Sequence, residues 1–176
     1  MTTSPSRAET GTLMPAPMAF LLSQLGFHAA QVFAERLMPL GLQPRHFGLL
    51  AHLAEGEGRS QQQLADALAI HRNVMVGLVD DMEGRGLVER RRHPSDRRAH
   101  AVFLTAPARA LLAEARRIAA EYELELLTPL EDSDRTALMA LLQRLARHAG
   151  LNPDIHPGLQ TANHPRGARR VAESRA

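Results

Sequence analysis

The sequence feature that most constrains the fold is the run 60–105, in which two short helical patterns precede two strand-like segments. Ser60 and Gln63 match the S-x-x-Q capping box, which predicts that a helix begins at this serine. After a break at 69–71, the apolar spacing of one helical face predicts a second helix, on Met75, Leu78, Val79 and Met82. Gly86 suits the left-handed conformation that ends many helices. This order of elements predicts a helix-turn-helix.

A cationic hairpin is predicted to follow the second helix. The segments 87–92 and 99–104 have the length of short strands, and His93, Pro94, Ser95 and Asp96 between them are typical of a turn. Residues 84–100 hold six arginines and two acidic residues, so their local charge is six minus two, or +4. Guanidinium groups bind phosphate oxygens, and a helix start offers free N–H donors. The pattern therefore predicts a winged helix that binds DNA, with a solvated hairpin as the alternative.

The run 64–105 resembles the winged-helix core of the multiple-antibiotic-resistance regulator (MarR) family. The family phrase L-E-x-R-G-L-V-x-R corresponds to M-E-G-R-G-L-V-E-R at 82–90, its D-x-R to 96–98, and its L-T to Leu104 and Thr105. The resemblance extends over about residues 18–149, and its motifs are specific when taken together. It implies a mainly α fold: a winged helix-turn-helix with a small β-hairpin wing, flanked by N- and C-terminal dimerisation helices. It also implies a transcriptional regulator, commonly a repressor.

The rest of the chain divides by its apolar spacing. We predict a disordered tail over 1–14, a dimerisation helix within 15–42, the winged helix-turn-helix domain over 43–105, C-terminal dimerisation helices over 106–150 and a disordered tail over 151–176. The first helix is apolar over more of its surface than packing on one domain requires. The last helix, capped by Asp132 or Ser133, has one apolar face: Leu138, Leu141, Leu142 and Leu145. The resemblance implies a homodimer built on these helices, which would bind a pseudo-palindromic operator.

Two helix starts supply the predicted contacts to double-stranded DNA. Arg72, Asn73 and Val76 are the major-groove candidates, since Arg or Asn can pair with a base edge and Val can touch a thymine methyl. Gln61 and Gln62, which begin the preceding helix, are expected to bind a phosphate or a base edge. The alternative for Asn73 is a helix-start residue that makes only local hydrogen bonds.

The wing supplies the remaining DNA contacts. Arg98 matches the wing arginine of the MarR family, so the resemblance implies that it enters the minor groove. Asp96 matches the acid that orients this arginine. Arg91 and Arg97 are expected to hold phosphates.

A small-molecule effector is implied by the resemblance, because MarR relatives bind small, often phenolic compounds between the dimerisation helices and the winged helix. His28, Arg45 and His46 could supply polar contacts to an anionic aromatic molecule, with Phe20 and Phe47 as the apolar wall. The alternative for a single His in such a helix is a residue that is simply hydrogen-bonded within an interface.

Composition and the motifs that the sequence lacks argue against several other classes of protein. The chain has no Cys, which excludes disulfides and thiolate metal sites, and its nine His show no H-x-x-x-H spacing, so we expect neither metal nor cofactor. No Ser/His/Asp set, P-loop or Gly-rich nucleotide turn indicates an enzyme. No apolar run approaches the roughly 18 residues of a membrane span, and the N-terminus does not resemble a signal peptide, so a cytoplasmic protein is expected. The rival function is a winged-helix protein-interaction module without specific DNA binding.

Overall fold

The computed structural model describes residues 17–92 and 100–152. The chain divides into two compact units, Met1–Val32 and Phe33–Ala176. The elements are α1 (Met18–Leu37), a 3-10 turn (Met38–Leu40), α2 (Pro44–Glu55), β1 (Arg59–Ser60), α3 (Gln61–Ala67), α4 (Arg72–Gly84), β2 (Val88–Arg92), β3 (His100–Leu104), α5 (Ala106–Leu126) and α6 (Asp132–His148). This mainly helical architecture with a small antiparallel sheet confirms the predicted fold class.

The first unit is described from residue 17 onward and contains most of α1. Its large apolar side chains are exposed: Met18, Phe20, Leu21, Leu22, Leu25 and Phe27. Full burial of one such side chain contributes about 1.5–3 kcal/mol, so a helix with this many exposed loses a large stabilising term. The broad apolar surface predicted from the sequence is therefore present and uncovered in the single chain.

The core of the second unit is formed by α2, α3, α4, the sheet and the beginning of α5. All four residues of the predicted apolar face of α4 are buried in it: Met75, Leu78, Val79 and Met82. Helix α2 adds Leu49, Leu50 and Leu53, and α5 adds Leu112 and Ala115. Because α4 is buried along this one face, its opposite face is left to solvent.

The three strands form an antiparallel sheet in the order β1-β3-β2. Strands β2 and β3 make the predicted hairpin, with Val88 opposite Leu104 and Arg92 opposite His100. Strand β1 pairs its two residues with Ala101 and Val102 of β3. The sequence pattern does not predict β1, because a strand of two residues is too short to show an alternation of apolar and polar side chains. This short strand joins the start of α3 to the hairpin.

The helix-turn-helix is fixed by one cap and one strained turn. The Ser60 hydroxyl accepts a hydrogen bond from the Gln63 N–H at 3.2 Å, and Gln63 Oε1 accepts one from the Ser60 N–H at 2.8 Å, which confirms the capping box. Between α3 and α4, Ala69 has a φ of 51°, a left-handed conformation that costs an L-residue roughly 1–2 kcal/mol. The buried neighbours Leu68 and Ile70 hold the chain in this turn. Gly86, with a φ of 68°, follows α4 as predicted.

The start of α6 differs from the prediction. The N-cap residue is Glu131, whose side chain makes no capping hydrogen bond, so the prediction of a cap at Asp132 or Ser133 is wrong. Asp132 and Asp134 instead lie in the first turn, where a carboxylate stabilises the positive end of the helix dipole without capping it.

Helix α6 has no buried residue. Its exposed large apolar side chains include Met139, Leu141, Leu142 and Leu145, and the end of α5 adds Leu124 and Leu126. The single chain thus carries a second uncovered apolar surface, which we call the α5–α6 surface. None of the helices within the described residues is long and apolar enough to cross a membrane.

Candidate DNA-binding interface

The solvent-facing end of α4 carries the residues predicted to enter the major groove. His71 is the N-cap, and its Nδ1 accepts a hydrogen bond from the Asn73 N–H at 3.3 Å. Arg72 and Asn73 are exposed and Val76 is half-buried. The side chains of Arg72 and Asn73 have no hydrogen-bond or ion-pair partner among residues 17–92 and 100–152. They are therefore available to a ligand beside a capped helix start.

Gly77 lies next to these residues on α4 and is exposed. Apart from its chain neighbours and the backbone of its own helix, a Cβ atom at this position would meet no heavy atom within 4 Å, so the fold does not require a glycine there. Its absence of a side chain leaves this part of the helix surface without a group that could contact a base. On this side of α4, the exposed side chains nearest the helix start are consequently those of Arg72 and Asn73, in the first turn.

The two glutamines at the start of α3 differ in their surroundings. Gln62 is exposed, and its Nε2 donates a hydrogen bond to Asp66 Oδ1 at 2.8 Å. Gln61 is half-buried, and its Nε2 is buried without a hydrogen-bond partner. A buried amide nitrogen without a partner costs about 1–3 kcal/mol. Gln62 is therefore the more accessible of the two predicted contacts.

The arginines of the wing differ in whether other side chains already hold their guanidinium groups. Arg90 donates from its backbone N–H to Glu83 Oε1 at 3.0 Å, and its guanidinium pairs with both Glu83 and Asp80 of α4. Arg91 pairs with Glu89, and its guanidinium lies 5.0 Å from the centre of the Phe103 ring. The local charge of +4 counted in the sequence thus overstates the charge available to DNA. The predicted contacts at 96–98, namely Asp96, Arg97 and Arg98, lie outside the described residues.

A polar cluster around the buried His46 links α2 to α4, and no local pattern in the sequence predicts it. His46 Nδ1 accepts a hydrogen bond from the Gln43 N–H at 3.1 Å, and its Nε2 lies 3.1 Å from Asp81 Oδ2. Arg85, near both, donates to the Gly41 carbonyl at 2.8 Å. Burial lowers the pKa of His46, although the Asp81 carboxylate opposes this. A neutral His46 ring with its proton on Nε2 fits both the contact with the Gln43 N–H and the contact with Asp81. His46 therefore positions α4 against α2.

This cluster bears on the residues predicted to bind an effector. His46 is 4% exposed and engaged within the chain, whereas Arg45 is half-buried, with its Nε buried and unpartnered. Phe47 packs edge-on against Phe33, with ring centres 5.4 Å apart. His28 and Phe20 are exposed in the first unit. Among the predicted effector residues of the second unit, Arg45 is therefore the one whose charged group remains free to bind a ligand.

The described residues also form an open groove on the protein surface. A groove runs along the α5–α6 surface, lined by Leu124, Leu127, Arg135, Met139 and Ala140, among others. Residues 17–92 and 100–152 contain no cluster of three or more His, Asp or Glu able to hold a metal ion. The groove is mostly apolar and open, so it is better suited to pack against another protein surface than to bind a small polar ligand.

Comparisons with known proteins agree with this arrangement. A sequence model of the MarR family matches residues 40–99. A protein from Thauera aromatica, described as a candidate transcriptional regulatory protein for the hcr operon, is 30% identical over 157 residues, covering 85% of this chain and 93% of that one.

Solved structures give the same picture. The transcriptional repressor CouR bound to a 23-mer DNA duplex is 34% identical with a TM-score of 0.68, covering 80% of this chain and 99% of that one. A cysteine-to-serine mutant of MarR from E. coli, complexed with operator DNA, has a TM-score of 0.65 and covers 73% of this chain and 93% of that one. At 21% identity the second likeness concerns the fold alone.

Proposed function

Because this chain belongs to the MarR family of transcriptional regulators, we propose that it is a homodimeric repressor that binds a pseudo-palindromic DNA operator and releases it when a small effector binds. The observation that carries the proposal is the exposed first turn of α4, in a chain whose next two strands form an arginine-rich hairpin. Arg72 and Asn73 are exposed there and unpartnered within the described residues. The family consists of transcriptional regulators and not of enzymes, and CouR, 34% identical, has been solved on a DNA duplex.

The two uncovered apolar surfaces support the homodimer. Phe20 and Phe27 of α1 are 53% and 60% exposed, and Leu142 and Leu145 of α6 are 40% and 47% exposed. Exposed apolar surfaces of this extent commonly mark an interface between proteins. A second copy of the chain is the partner that would cover the same surface on both subunits at once.

The proposed contacts fall into two groups. Arg72, Asn73 and Val76 would read base edges in the major groove, with Gln61 and Gln62 beside them at the start of α3. Asp96 and Arg98 of the wing would serve the minor groove, and Arg97 a phosphate. Arg91 would hold a phosphate only by exchanging its partner Glu89 for one. Phosphate contacts set the register and affinity, and base contacts set the sequence preference.

Nuclease protection of the DNA that flanks the protein's own gene tests this function. We expect a protected pseudo-palindrome whose half-sites lie about 34–36 Å apart, one turn of the duplex, because a two-fold dimer would place two copies of α4 in successive major grooves. Protection should weaken steeply as salt is raised, since the phosphate contacts release counterions. Protection of a single half-site would contradict the dimer. No protection at low salt would contradict specific DNA binding here.

The effector proposal rests on Arg45, a half-buried guanidinium whose Nε has no partner. Benzoate and phenol, used as separate probes, distinguish a charged ligand from a neutral one. We expect benzoate to release operator DNA and Arg45→Gln to require about 10- to 150-fold more benzoate, because a hydrogen bond to a charged group contributes about 1.5–3 kcal/mol. His46→Ala is a poorer test, since that ring is buried against Asp81.

Arg116→Gln provides the control for the effector experiment. Arg116 is an exposed arginine of α5, so this variant removes the same charge at a position outside the proposed effector residues. DNA affinity without benzoate should be equal in the wild type and both variants. If benzoate releases DNA equally well from the Arg45→Gln variant, Arg45 does not bind the effector.

A further inference from the structure

The two faces of the wing hairpin carry different arginines. Successive side chains of a strand point to opposite faces of the sheet. Arg90 points to the face on which α4 lies, because its guanidinium pairs with Asp80 and Glu83 of that helix. Arg92, two residues further along β2, therefore points to the α4 side as well. Arg91 points to the other face, where it lies over Phe103.

The arginines near α4 also differ in whether a partner already occupies them. Arg85 donates to the Gly41 carbonyl, and Arg90 is held by two carboxylates. Arg91 is paired with Glu89. Arg92 is exposed, and no hydrogen bond or ion pair joins it to any residue within 17–92 and 100–152. In this part of the chain, Arg92 is the β2 arginine with an unoccupied guanidinium.

The residue opposite Arg92 on β3 strengthens this assignment. Arg92 pairs in register with His100, which is also exposed. Residues directly opposite each other have Cβ atoms about 4.5–5.5 Å apart, and an acid there would add a favourable cross-strand pair. Unlike a carboxylate, a histidine ring cannot accept two hydrogen bonds from one guanidinium, and its own ring N–H can donate a hydrogen bond. Among the described residues, no carboxylate pairs with either donor, so the pair has the character of a site for a phosphate.

We infer that Arg92, with His100 opposite it, is a further phosphate contact at the base of the wing, on the side of α4. The inference rests on the proposed DNA binding and adds a residue to it. One phosphate of the strand that flanks the α4 major groove would accept a forked contact from the Arg92 guanidinium. Arg90, locked onto α4, would hold β2 so that Arg92 faces the duplex. Arg92 would contribute more to DNA affinity than Arg91, which faces away and is paired.

Salt titration of DNA binding by Arg92→Gln tests the inference, on operator and on scrambled DNA. Log K for DNA binding falls as log salt rises. Loss of one phosphate contact in each half-site should make this dependence less steep by about two units. The ratio of wild-type to variant affinity should then be about tenfold larger at about 50 mM than at about 200 mM salt. The change should be similar on both DNAs, because a phosphate contact carries no sequence information. Thermal unfolding should be unchanged, since Arg92 has no partner within the described residues.

Two further variants make the result specific to Arg92. Arg91→Gln removes the same charge from the same strand and should change the slope by less than half as much. Arg116→Gln, on α5, should leave the slope unchanged. A wild-type slope for Arg92→Gln, or equal slopes for Arg92→Gln and Arg91→Gln, would overturn the assignment while leaving the DNA-binding proposal in place. Failure of the wild type to bind DNA at low salt would overturn both.

Discussion

Replacing Leu142 with Glu is expected to convert the proposed dimer of two 19.3 kDa chains into a monomer. It should also weaken operator binding by about 100- to 10,000-fold, because binding at two half-sites would lose the advantage of linked sites. Leu142 is 40% exposed and lies on α6, which has no buried residue. A carboxylate there should be tolerated in the folded single chain but not in an apolar interface, where an unpaired charge is costly.

Sedimentation and circular dichroism at micromolar concentration measure this effect. The Leu142→Glu variant should sediment as a monomer and keep its helical signal, which would distinguish an interface residue from a core residue. Ser133→Glu is the matched control: it adds the same charge to the same helix, at an exposed position of the first turn. A wild type that sediments as a monomer would contradict the dimer. A Leu142→Glu variant that remains dimeric would place the interface elsewhere.

The second large effect concerns base reading by Asn73. Its exposed, neutral amide can pair with adenine but releases no counterion. Asn73→Ala should cost about 1–3 kcal/mol per half-site on the operator, with little change on scrambled DNA and a nearly unchanged salt slope. This separation follows because the backbone N–H of Asn73, and not its side chain, takes part in the helix cap with His71.

Arg98→Ala is the comparison variant for Asn73→Ala. A guanidinium in the minor groove acts mainly by charge, so its loss should weaken operator and scrambled DNA by similar factors. The slope of log K against log salt should become less steep by about one unit per half-site. Salt titrations of both variants on both DNAs measure the difference. Equal weakening of the two DNAs by Asn73→Ala, or undiminished scrambled binding by Arg98→Ala, would disprove this division between the two residues.

Local signals in the sequence were sufficient for most of the second unit. The capping box at Ser60 and Gln63 and the glycine at Gly86 act through their nearest neighbours, so their positions could be predicted without the rest of the chain. The apolar face of α4 could be predicted for the same reason, since side-chain spacing determines which face can be buried. Strand β1 could not, because its existence depends on β3, more than 40 residues away along the sequence.

The availability of each arginine was decided by tertiary structure. In the sequence, Arg90, Arg91 and Arg92 are three equivalent charges in a row. The fold pairs Arg90 with two acids of α4, gives Arg91 a partner on its own strand and leaves Arg92 free within the described residues. Strand alternation and the position of α4 produce this difference, and both require the hairpin to be placed against the helix.

The same contrast holds for the histidine predicted at the effector site. The sequence by itself determined the family, the helix-turn-helix and the exposed residues at the start of α4, because these follow from motifs and from spacing along one element. Whether His46 faces a ligand or the core was decided only when α2 and α4 packed together and brought Asp81 within 3.1 Å of its ring. A side chain's partners across two helices depend on the packing angle between them, and no local pattern in the sequence specifies that angle.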